Sequence, residues 1–245
     1  MMNKKNVGLI IVIVIILGLI GYTIASNIVH ATKNIPNPIV TMKIKDFGEV
    51  KIELYPEMAP NTVANFINLI ENHYYDGLTF HRAVEGFMVQ GGDKEGTGQG
   101  ETEEAIKGEF LENGYEKNTL RHDRGVISMA RADYSNLGLA KEGYNSAFSQ
   151  FFIMTGDNSS VNGNYAAFGK VLDNGMEVID KVAKVEAIQE KETTTTTENK
   201  EPDKSQYPVI TEMTVETFGV NYGNPVRQKA FDLNSYLMKL YGFSF

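Results

Sequence analysis

Two short segments of the chain combine side chains that could bind a polar amide with side chains that could bind an apolar ring. The first, residues 80–93, reads FHRAVEGFMVQGGD and places an arginine, a methionine and a glutamine within nine residues. Residues two apart on an extended strand share one face, so Met88 and Gln90 are predicted to point the same way. In the second, FSQFFI, Gln150 and Phe152 share a face in the same manner. On these residues alone, the alternative is two core strands in which the arginine is incidental.

Composition and missing motifs exclude several other kinds of chemistry. The 245 residues include no cysteine, which removes disulfides, thiolate catalysis and cysteine-ligated zinc. The chain also lacks a Gly-x-Ser-x-Gly elbow, a His-Glu-x-x-His motif and a phosphate loop ending in Gly-Lys-Ser/Thr. The formal net charge of −8 argues against nucleic acid as a partner. The glycine-rich residues 96–100 lack the strand-loop-helix context of a dinucleotide site, and we expect a turn there.

The elements that must position these side chains follow a mainly β pattern. Residues 40–44 and 50–54 alternate between apolar and polar side chains around a turn at Asp46, which predicts a β-hairpin. Pro60 opens a helix with one apolar face. Within residues 78–168, glycines separate short apolar runs, which indicates an antiparallel barrel or sandwich. These runs are Phe87–Val89, Val126–Ala130, Phe151–Met154 and Ala166–Val171.

The last third of the chain continues with a second helix, a loop, a strand and a tail. Apolar residues at helical spacing predict the helix over 176–185, and alternation predicts a closing strand over 209–218. Residues 186–208 contain five consecutive threonines and many acids, so they are predicted to form a mobile surface loop. The tail, residues 219–245, contains a predicted amphipathic helix around 226–241. We expect the apolar face of that helix to cover part of the barrel.

The N-terminus has the pattern of a membrane anchor. Residues 7–26 are twenty uncharged, mostly apolar residues, and a helix of that length at about 1.5 Å per residue crosses the hydrocarbon core of a bilayer. Lys4 and Lys5 precede it, and the next formal charge is Lys33. By the positive-inside rule, residues 1–6 stay in the cytoplasm and the rest is exported.

The predicted product is therefore a single-pass protein of the cell membrane with an extracytoplasmic domain, joined to the anchor by a linker at residues 27–37. The alternative is a signal peptide cleaved after the small-residue pattern Val29-His30-Ala31. Cleavage there would release a secreted protein that starts at Thr32.

Five motifs resemble those of the cyclophilins and occur in the order found in that family. They are FHR at 80–82, GFMxQGGD at 86–93, GVISMA at 125–130, SQFFI at 149–153 and FGKV at 168–171. The hairpin and APNTVANF at 59–66 also resemble the start of the family, and the resemblance covers residues 38–218. Cyclophilins are peptidyl-prolyl cis–trans isomerases with an eight-stranded antiparallel barrel capped by two helices, so the resemblance implies that fold and activity. With the predicted anchor, the chain resembles a membrane-anchored bacterial form.

The resemblance also implies a site. Arg82 matches the family's catalytic arginine, whose guanidinium hydrogen-bonds the substrate carbonyl and the prolyl nitrogen. His81 matches its motif too, and we expect it to be structural. The implied substrate-binding residues are Phe87, Met88 and Phe152 around the proline ring, Gln90 on the substrate backbone and beside Arg82, Ala130, the main chain of Arg131 and Gln150 along the groove, and Val161 and Tyr165.

The chain departs from the family at the edge of this groove. Many cyclophilins carry a tryptophan and a leucine before Asp-Gly-x-His, where this chain reads SVNGNY, so Val161 and Tyr165 take the leucine and histidine positions. Tyr165 can still pack on the proline ring and donate a hydrogen bond. Ser160 cannot replace the tryptophan surface, which argues against cyclosporin binding and predicts weaker catalysis. Arg131 stands where asparagine is common, with a small expected effect, and the long segment 132–148 is predicted to reshape the rim.

The predicted function is isomerisation of Xaa-Pro bonds in proline-containing polypeptides, namely exported proteins whose folding is limited by slow prolines. Rotation about an amide needs no metal and no cofactor, so we expect neither. The alternative is a cyclophilin-like chaperone module that binds proline segments with little turnover. The missing tryptophan, the threonine-rich loop and the tail favour that alternative, whereas the intact Arg82, Phe87, Met88, Gln90 and Phe152 argue against it.

Overall fold

The computed structural model describes residues 36–100, 102–189 and 203–241, which contain ten strands and four α-helices. The strands are β1 Ile39–Ile44, β2 Gly48–Leu54, β3 Thr79–Val84, β4 Met88–Asp93, β5 Glu104–Ile106, β6 Val126–Met129, β7 Phe151–Met154, β8 Ala167–Val171, β9 Ile210–Glu216 and β10 Arg227–Lys229. The helices are α1 Pro60–Glu71, α2 Ala140–Tyr144, α3 Gly175–Ala183 and α4 Leu233–Leu240.

Eight strands form one curled antiparallel sheet in the spatial order β3-β4-β7-β6-β8-β2-β1-β9. Its outermost strands approach each other, because the amide of Phe80 donates to the carbonyl of Pro208 at 2.9 Å and the amide of Ile210 donates to that of Leu78 at 2.8 Å. The eight-stranded antiparallel architecture that the resemblance implies is thus confirmed as a curled sheet. Strands β5 and β10 form a separate two-stranded sheet that the sequence did not predict.

Local sequence explains the first hairpin and the first helix. Strands β1 and β2 pair as predicted, and Gly48 adopts a φ of +124°, a conformation that favours glycine. Helix α1 begins at Pro60, which suits the first turn because its missing N–H would lack a helical partner. The Glu109 carboxylate accepts hydrogen bonds from the next two amides, Asn61 at 3.0 Å and Thr62 at 2.7 Å, so the helix start is capped from a distant segment.

The main core is enclosed by one face of the curled sheet and the helices α1 and α3. The ring of Phe66 in α1 lies 5.1 Å from that of Tyr75, 5.7 Å from Phe151 and 5.0 Å from Phe168, measured between centroids. Ile179 of α3 is fully buried in the same cluster. The two predicted capping helices are therefore confirmed as α1 and α3.

Two predicted segments fall partly or wholly outside the described residues. The predicted anchor at 7–26 lies outside them, and none of the helices that are described is both long and apolar enough to cross a bilayer. Of the predicted loop 186–208, residues 190–202 lie outside as well. Both ends of that loop are ordered, since Ile188 and Tyr207 are 2% and 6% exposed and pack in the main core.

The prediction of one helix over residues 226–241 is wrong at its N-terminal end, where β10 pairs with β5. The reason is tertiary. The guanidinium of Arg227 donates to the side-chain oxygens of Asn65 at 3.1 Å, Asn68 at 2.9 Å and Glu104 at 3.1 Å. These partners come from α1 and β5, so extended backbone at Arg227 satisfies groups that a local helix would leave unpaired.

The expectation that the tail helix covers the barrel is also wrong for the described residues. Helix α4 buries none of its residues, and Tyr241, which follows it, is 70% exposed. Just before this helix, the ring of Phe231 lies 5.7 Å from that of Tyr134 in the segment 132–148 and 5.6 Å from that of Tyr236 in α4. The tail is therefore held at two places, by β10 and Arg227 against β5 and α1, and by Phe231 against the segment 132–148.

Candidate active site

The strands β3, β4, β6, β7 and β8 carry apolar side chains on both faces of the sheet. In β7, Phe151 and Ile153 point into the main core, whereas Phe152 and Met154 point to the opposite face. The apolar side chains on this opposite face form a second, smaller cluster, which we call the outer cluster. It consists of the buried Met88, Val126, Phe152, Met154 and Ala167, with the partly buried Val84, Phe87, Leu120, Ala130 and Tyr165 packed against them.

A row of residues across three strands aligns the predicted catalytic arginine with the outer cluster. Arg82 in β3 lies opposite Gln90 in β4, and Gln90 lies opposite Phe152 in β7. Opposed residues of antiparallel strands share a face. The β3–β4 pairing shifts between Phe80 and Arg82, as in a β-bulge. This shift explains how Phe80 enters the main core while Arg82, only two residues later, lies on the other face.

The polar edge of the site is held by side-chain amides. Nη1 of Arg82 donates to Oε1 of Gln90 at 3.2 Å, and Nε2 of Gln90 donates to Oε1 of Gln150 at 2.9 Å. Both ends of the Gln90 amide are thus engaged, which fixes its orientation and that of the guanidinium beside it. The amide of Ala130 donates to the carbonyl of Gln150 at 2.9 Å, so the β6 end of the groove is tied to the same edge.

Aromatic rings form the apolar part of the site. The ring of Phe152 stacks on that of His122 at 5.9 Å and 17°, and meets that of Tyr165 edge-on at 5.4 Å and 90°. The hydroxyl of Ser128 lies 3.1 Å from Nε2 of His122, and Oδ1 of Asn162 lies 3.2 Å from its Nδ1. Because a carbonyl oxygen only accepts, Nδ1 carries the proton and Nε2 accepts from the serine. Burial lowers the pKa of His122, which favours this neutral form.

Two positions differ from the site that the resemblance implies. Arg131, for which only a main-chain role was implied, has its guanidinium carbon 4.6 Å from the ring centre of Tyr165. Val161 lies in the 3-10 helix Ser159–Val161, is half-buried and is not part of the outer cluster. The neighbouring Ser160 is exposed, and its hydroxyl donates to Oδ1 of Asn158 at 2.7 Å.

The glycine-rich residues 96–100 form a turn, as predicted, and the turn is folded around a carboxylate. Oδ2 of Asp93 accepts hydrogen bonds from the amides of Thr97 at 2.9 Å and Gly98 at 2.7 Å. His81 lies next to this turn and is 8% exposed, and neither of its ring nitrogens has a hydrogen-bond partner among the described residues. Burial lowers the pKa of His81 to about 4, partly countered by the charge of Asp93, so it packs as a neutral ring.

The structure therefore brings together most of the side chains that the resemblance implied. Five of them belong to the outer cluster and three more form its polar edge, whereas Val161 stands apart. His122, which supports Phe152, is not among the residues predicted from the sequence, although its partner Ser128 lies within the motif GVISMA. No sequence pattern points to His122, because its partner Asn162 is forty positions away and meets it only in the folded protein.

Comparisons with known proteins agree with this architecture. The family model described as "Cyclophilin type peptidyl-prolyl cis-trans isomerase/CLD" matches residues 39–213. Peptidyl-prolyl cis-trans isomerase-like 3 of Rattus norvegicus is 40% identical over 140 residues, which are 57% of this chain and 79% of that protein. Peptidyl-prolyl cis-trans isomerase B of Bacillus subtilis is 39% identical over 147 residues, 60% of this chain and 92% of that protein. A cyclophilin type isomerase of Cryptosporidium parvum, crystallised in the presence of the dipeptide Ala-Pro, has a TM-score of 0.55 at 27% identity and covers 73% of this chain and 98% of its own.

Proposed function

Because the chain belongs to the cyclophilin-type peptidyl-prolyl cis–trans isomerase family, we propose that it acts through Arg82 on exported proteins at the outer side of a cell membrane. Its activity is the cis–trans isomerisation of Xaa-Pro peptide bonds. Two parts of the proposal go beyond the family: the roles of this chain's own residues, and the place where it works.

The chemistry to be catalysed is a rotation about a partial double bond. Amide resonance imposes a barrier of about 18–20 kcal/mol, and exchange at an Xaa-Pro bond takes tens of seconds or longer. In the twisted transition state, resonance is lost and the prolyl nitrogen becomes pyramidal and basic. A catalyst must bind this twisted amide more tightly than the planar one, which requires fixed hydrogen-bond donors and a pocket for the proline ring.

The guanidinium of Arg82 is suited to the first requirement. It stays protonated at physiological pH and offers several N–H donors in one plane. In the proposed mechanism it donates to the substrate carbonyl and to the prolyl nitrogen as the lone pair of that nitrogen localises. Gln90 holds the guanidinium by the observed hydrogen bond and bonds the substrate backbone, while Gln150 fixes the amide of Gln90.

The outer cluster is suited to the second requirement. Phe87, Met88 and Phe152 would hold the proline ring by apolar contact while the preceding carbonyl turns. Ala130, the main chain of Arg131 and Tyr165 would continue the groove along the substrate. The observation that carries the proposal is the row from Arg82 through Gln90 to Phe152, because it joins the donor to the apolar cluster on one face.

An isomerisation assay on a Xaa-Pro peptide tests the role of Arg82 in the purified chain. We expect Arg82→Ala to lower kcat/KM by about 100-fold to 1,000-fold, the usual cost of losing one transition-state donor. KM is expected to change less than kcat, since the bond to the prolyl nitrogen forms only as the amide twists. Arg82→Lys keeps the charge but loses the planar guanidinium, so its kcat/KM should lie between those of wild type and Arg82→Ala. Wild-type rates in Arg82→Ala would refute the assignment.

The proposed location rests on the composition of residues 7–26 and the lysines before them. Proteins exported unfolded must fold outside the membrane, where uncatalysed proline isomerisation is slow, so proline-containing exported chains are the proposed substrates. We expect the protein to be recovered in the membrane fraction. Protease added to intact cells is expected to digest its isomerase domain. N-terminal sequencing separates the alternatives, because a start at Thr32 would show a cleaved, secreted form.

Weak cyclosporin binding is part of the same proposal. The exposed Ser160 offers little apolar surface where many cyclophilins carry tryptophan. Titration with cyclosporin during the peptide assay should inhibit the chain poorly, and Ser160→Trp should increase the inhibition. Strong inhibition of the unmodified chain would contradict this part.

A further inference from the structure

The guanidinium of Arg131 lies among three aromatic rings that come from distant parts of the chain. Its carbon is 4.6 Å from the ring centre of Tyr165, 5.0 Å from that of Tyr144 and 5.6 Å from that of Phe110. Rings at these distances attract a cation through their negative faces. Tyr144 belongs to the segment 132–148, so the arginine connects that segment to the groove.

The edge of the same guanidinium is engaged by backbone carbonyls. Nε of Arg131 donates to the carbonyl of Asn164 at 3.0 Å, and Nη1 donates to that of Ala132 at 2.9 Å. Helix α2 packs so closely here that a Cβ at Gly143 would lie 2.4 Å from the Ala132 carbonyl oxygen. A planar guanidinium can stack on rings and donate from its edge together, which a lysine ammonium cannot do.

Tyr165 is the residue that connects this arrangement to the proline pocket. Besides its contact with Arg131, its ring meets that of Phe152 edge-on at 5.4 Å and that of His122 at 6.4 Å. Tyr165 is half-buried and follows directly on Asn164, whose carbonyl Arg131 holds. The backbone before this tyrosine and its ring are thus held by one side chain.

We infer that Arg131 is a positioning residue, which holds Tyr165 in place as a wall of the proline groove and fastens the segment 132–148 beside it. The inference deepens the proposed function and rests on it, because Tyr165 must line the substrate groove for the position of its ring to matter. It also assigns a role to the Arg131 side chain, whereas the resemblance implied a role for its main chain alone.

The consequence for kinetics follows from the place of Tyr165. A wall of the pocket contacts the proline ring in the planar amide and in the twisted amide alike. Loss of such uniform binding raises KM and leaves kcat nearly unchanged. This pattern distinguishes Arg131 from Arg82, whose loss is expected to lower kcat.

A double-mutant cycle with Arg131→Met and Tyr165→Leu tests the inference in the full chain. We expect each single variant to raise KM for a Xaa-Pro peptide by roughly 10-fold, with kcat within about 2-fold. The double variant should resemble Tyr165→Leu alone, because Arg131 acts through that ring. The inference would be overturned if the increase in KM of the double variant were the product of the two single increases. A wild-type KM in Arg131→Met would also overturn it. A wild-type KM in Tyr165→Leu would overturn it as well and would show that the groove assignment is at fault, whatever Arg82→Ala shows.

A conservative variant, a spectroscopic readout and a matched control separate positioning from general destabilisation. Arg131→Lys keeps the charge but not both carbonyl bonds, so its KM should lie between those of wild type and Arg131→Met, and it replaces Arg131→Met if that variant unfolds. The ring-carbon NMR signal of Tyr165 should shift in Arg131→Met without substrate, and an unshifted signal would count against the inference. Arg227→Met removes a guanidinium that also lies over an aromatic ring but bonds α1, and it should leave KM unchanged.

Discussion

The two faces of the same strands differ in how completely their apolar side chains are enclosed. On the inner face, Phe151 and Ile153 are fully buried and the helices α1 and α3 complete the core. On the outer face, Phe152 is 5% exposed, and partly buried side chains such as Phe87 and Tyr165 surround it. The inner face is closed, and the outer face keeps an accessible edge where polar side chains meet apolar ones.

One strand with alternating side chains can therefore contribute both to the stability of the core and to substrate binding. Adjacent residues in β7 point to opposite faces, so stability and binding can be assigned to different side chains without lengthening the chain. A closed cluster contributes its full burial to stability. A partly open cluster contributes less to the folded protein, and it retains apolar surface that a proline ring can bury.

The adjacent pair Phe151 and Phe152 offers the largest test of this difference. We expect Phe151→Ala to lower the free energy of unfolding by about 3–5 kcal/mol, since it leaves a cavity among closely packed rings. Phe152→Ala should cost about 2 kcal/mol, because the space it leaves opens towards the groove and admits water. Urea denaturation of both variants measures the two losses.

Activity should show the opposite order for this pair. We expect Phe152→Ala to lower kcat/KM by about 10-fold to 100-fold through the lost pocket wall. Phe151→Ala, assayed where it remains folded, should stay within about 3-fold of wild type. Equal losses of activity in the two variants would break the distinction between the faces.

His81 lies where the pairing of β3 with β4 shifts. Because its pKa is lowered, we expect the stability of the protein to fall in acid. Its pKa is about 4 in the folded protein, against 6.5 for an unperturbed histidine. Between these values the unfolded chain binds more protons, so the free energy of unfolding decreases as the pH falls from 6.5 towards 4. The expected loss is at most about 3 kcal/mol, with no contribution above that window.

Denaturation curves between pH 4 and pH 7 for wild type and His81→Gln measure this contribution. The glutamine variant should show a shallower dependence across the window, with a remaining slope from His122, whose pKa burial also lowers. Identical slopes in the two proteins would mean that His81 does not contribute to this pH dependence.

A second arginine, Arg227, also lies over an aromatic ring, and it allows a comparison with Arg131. Arg227 lies 5.2 Å from the ring centre of Phe148, which packs against the main core, and it binds α1 instead of the groove. We expect Arg227→Met to lower the free energy of unfolding by about 1–2 kcal/mol. Unlike Arg131→Met, it should leave KM for a short peptide unchanged. A raised KM would show that the tail, too, shapes the groove.

Much of the fold and most of the candidate site could be predicted from local pattern and from ordered motifs. The hairpin β1–β2, the helices α1 and α3 and the strand β9 follow from period and turn residues over short spans. Strand β10 could not be predicted, because its partners in α1 and β5 lie more than a hundred positions away. The support of Phe152 by His122 and the ring contacts of Arg131 escaped prediction because these side chains come from separate segments and meet only in the folded protein.

By itself, the sequence determined which side chains are available: an arginine, two glutamines and the apolar residues of alternating strands, in the order of the cyclophilin motifs. Only the tertiary structure decided which of them meet. The pairing of β3, β4 and β7 aligned Arg82, Gln90 and Phe152 in one row, and the shift at His81 turned Arg82 to the outer face. Local propensity acts over a few residues, whereas register, bulges and ring contacts depend on packing between segments that are remote along the chain.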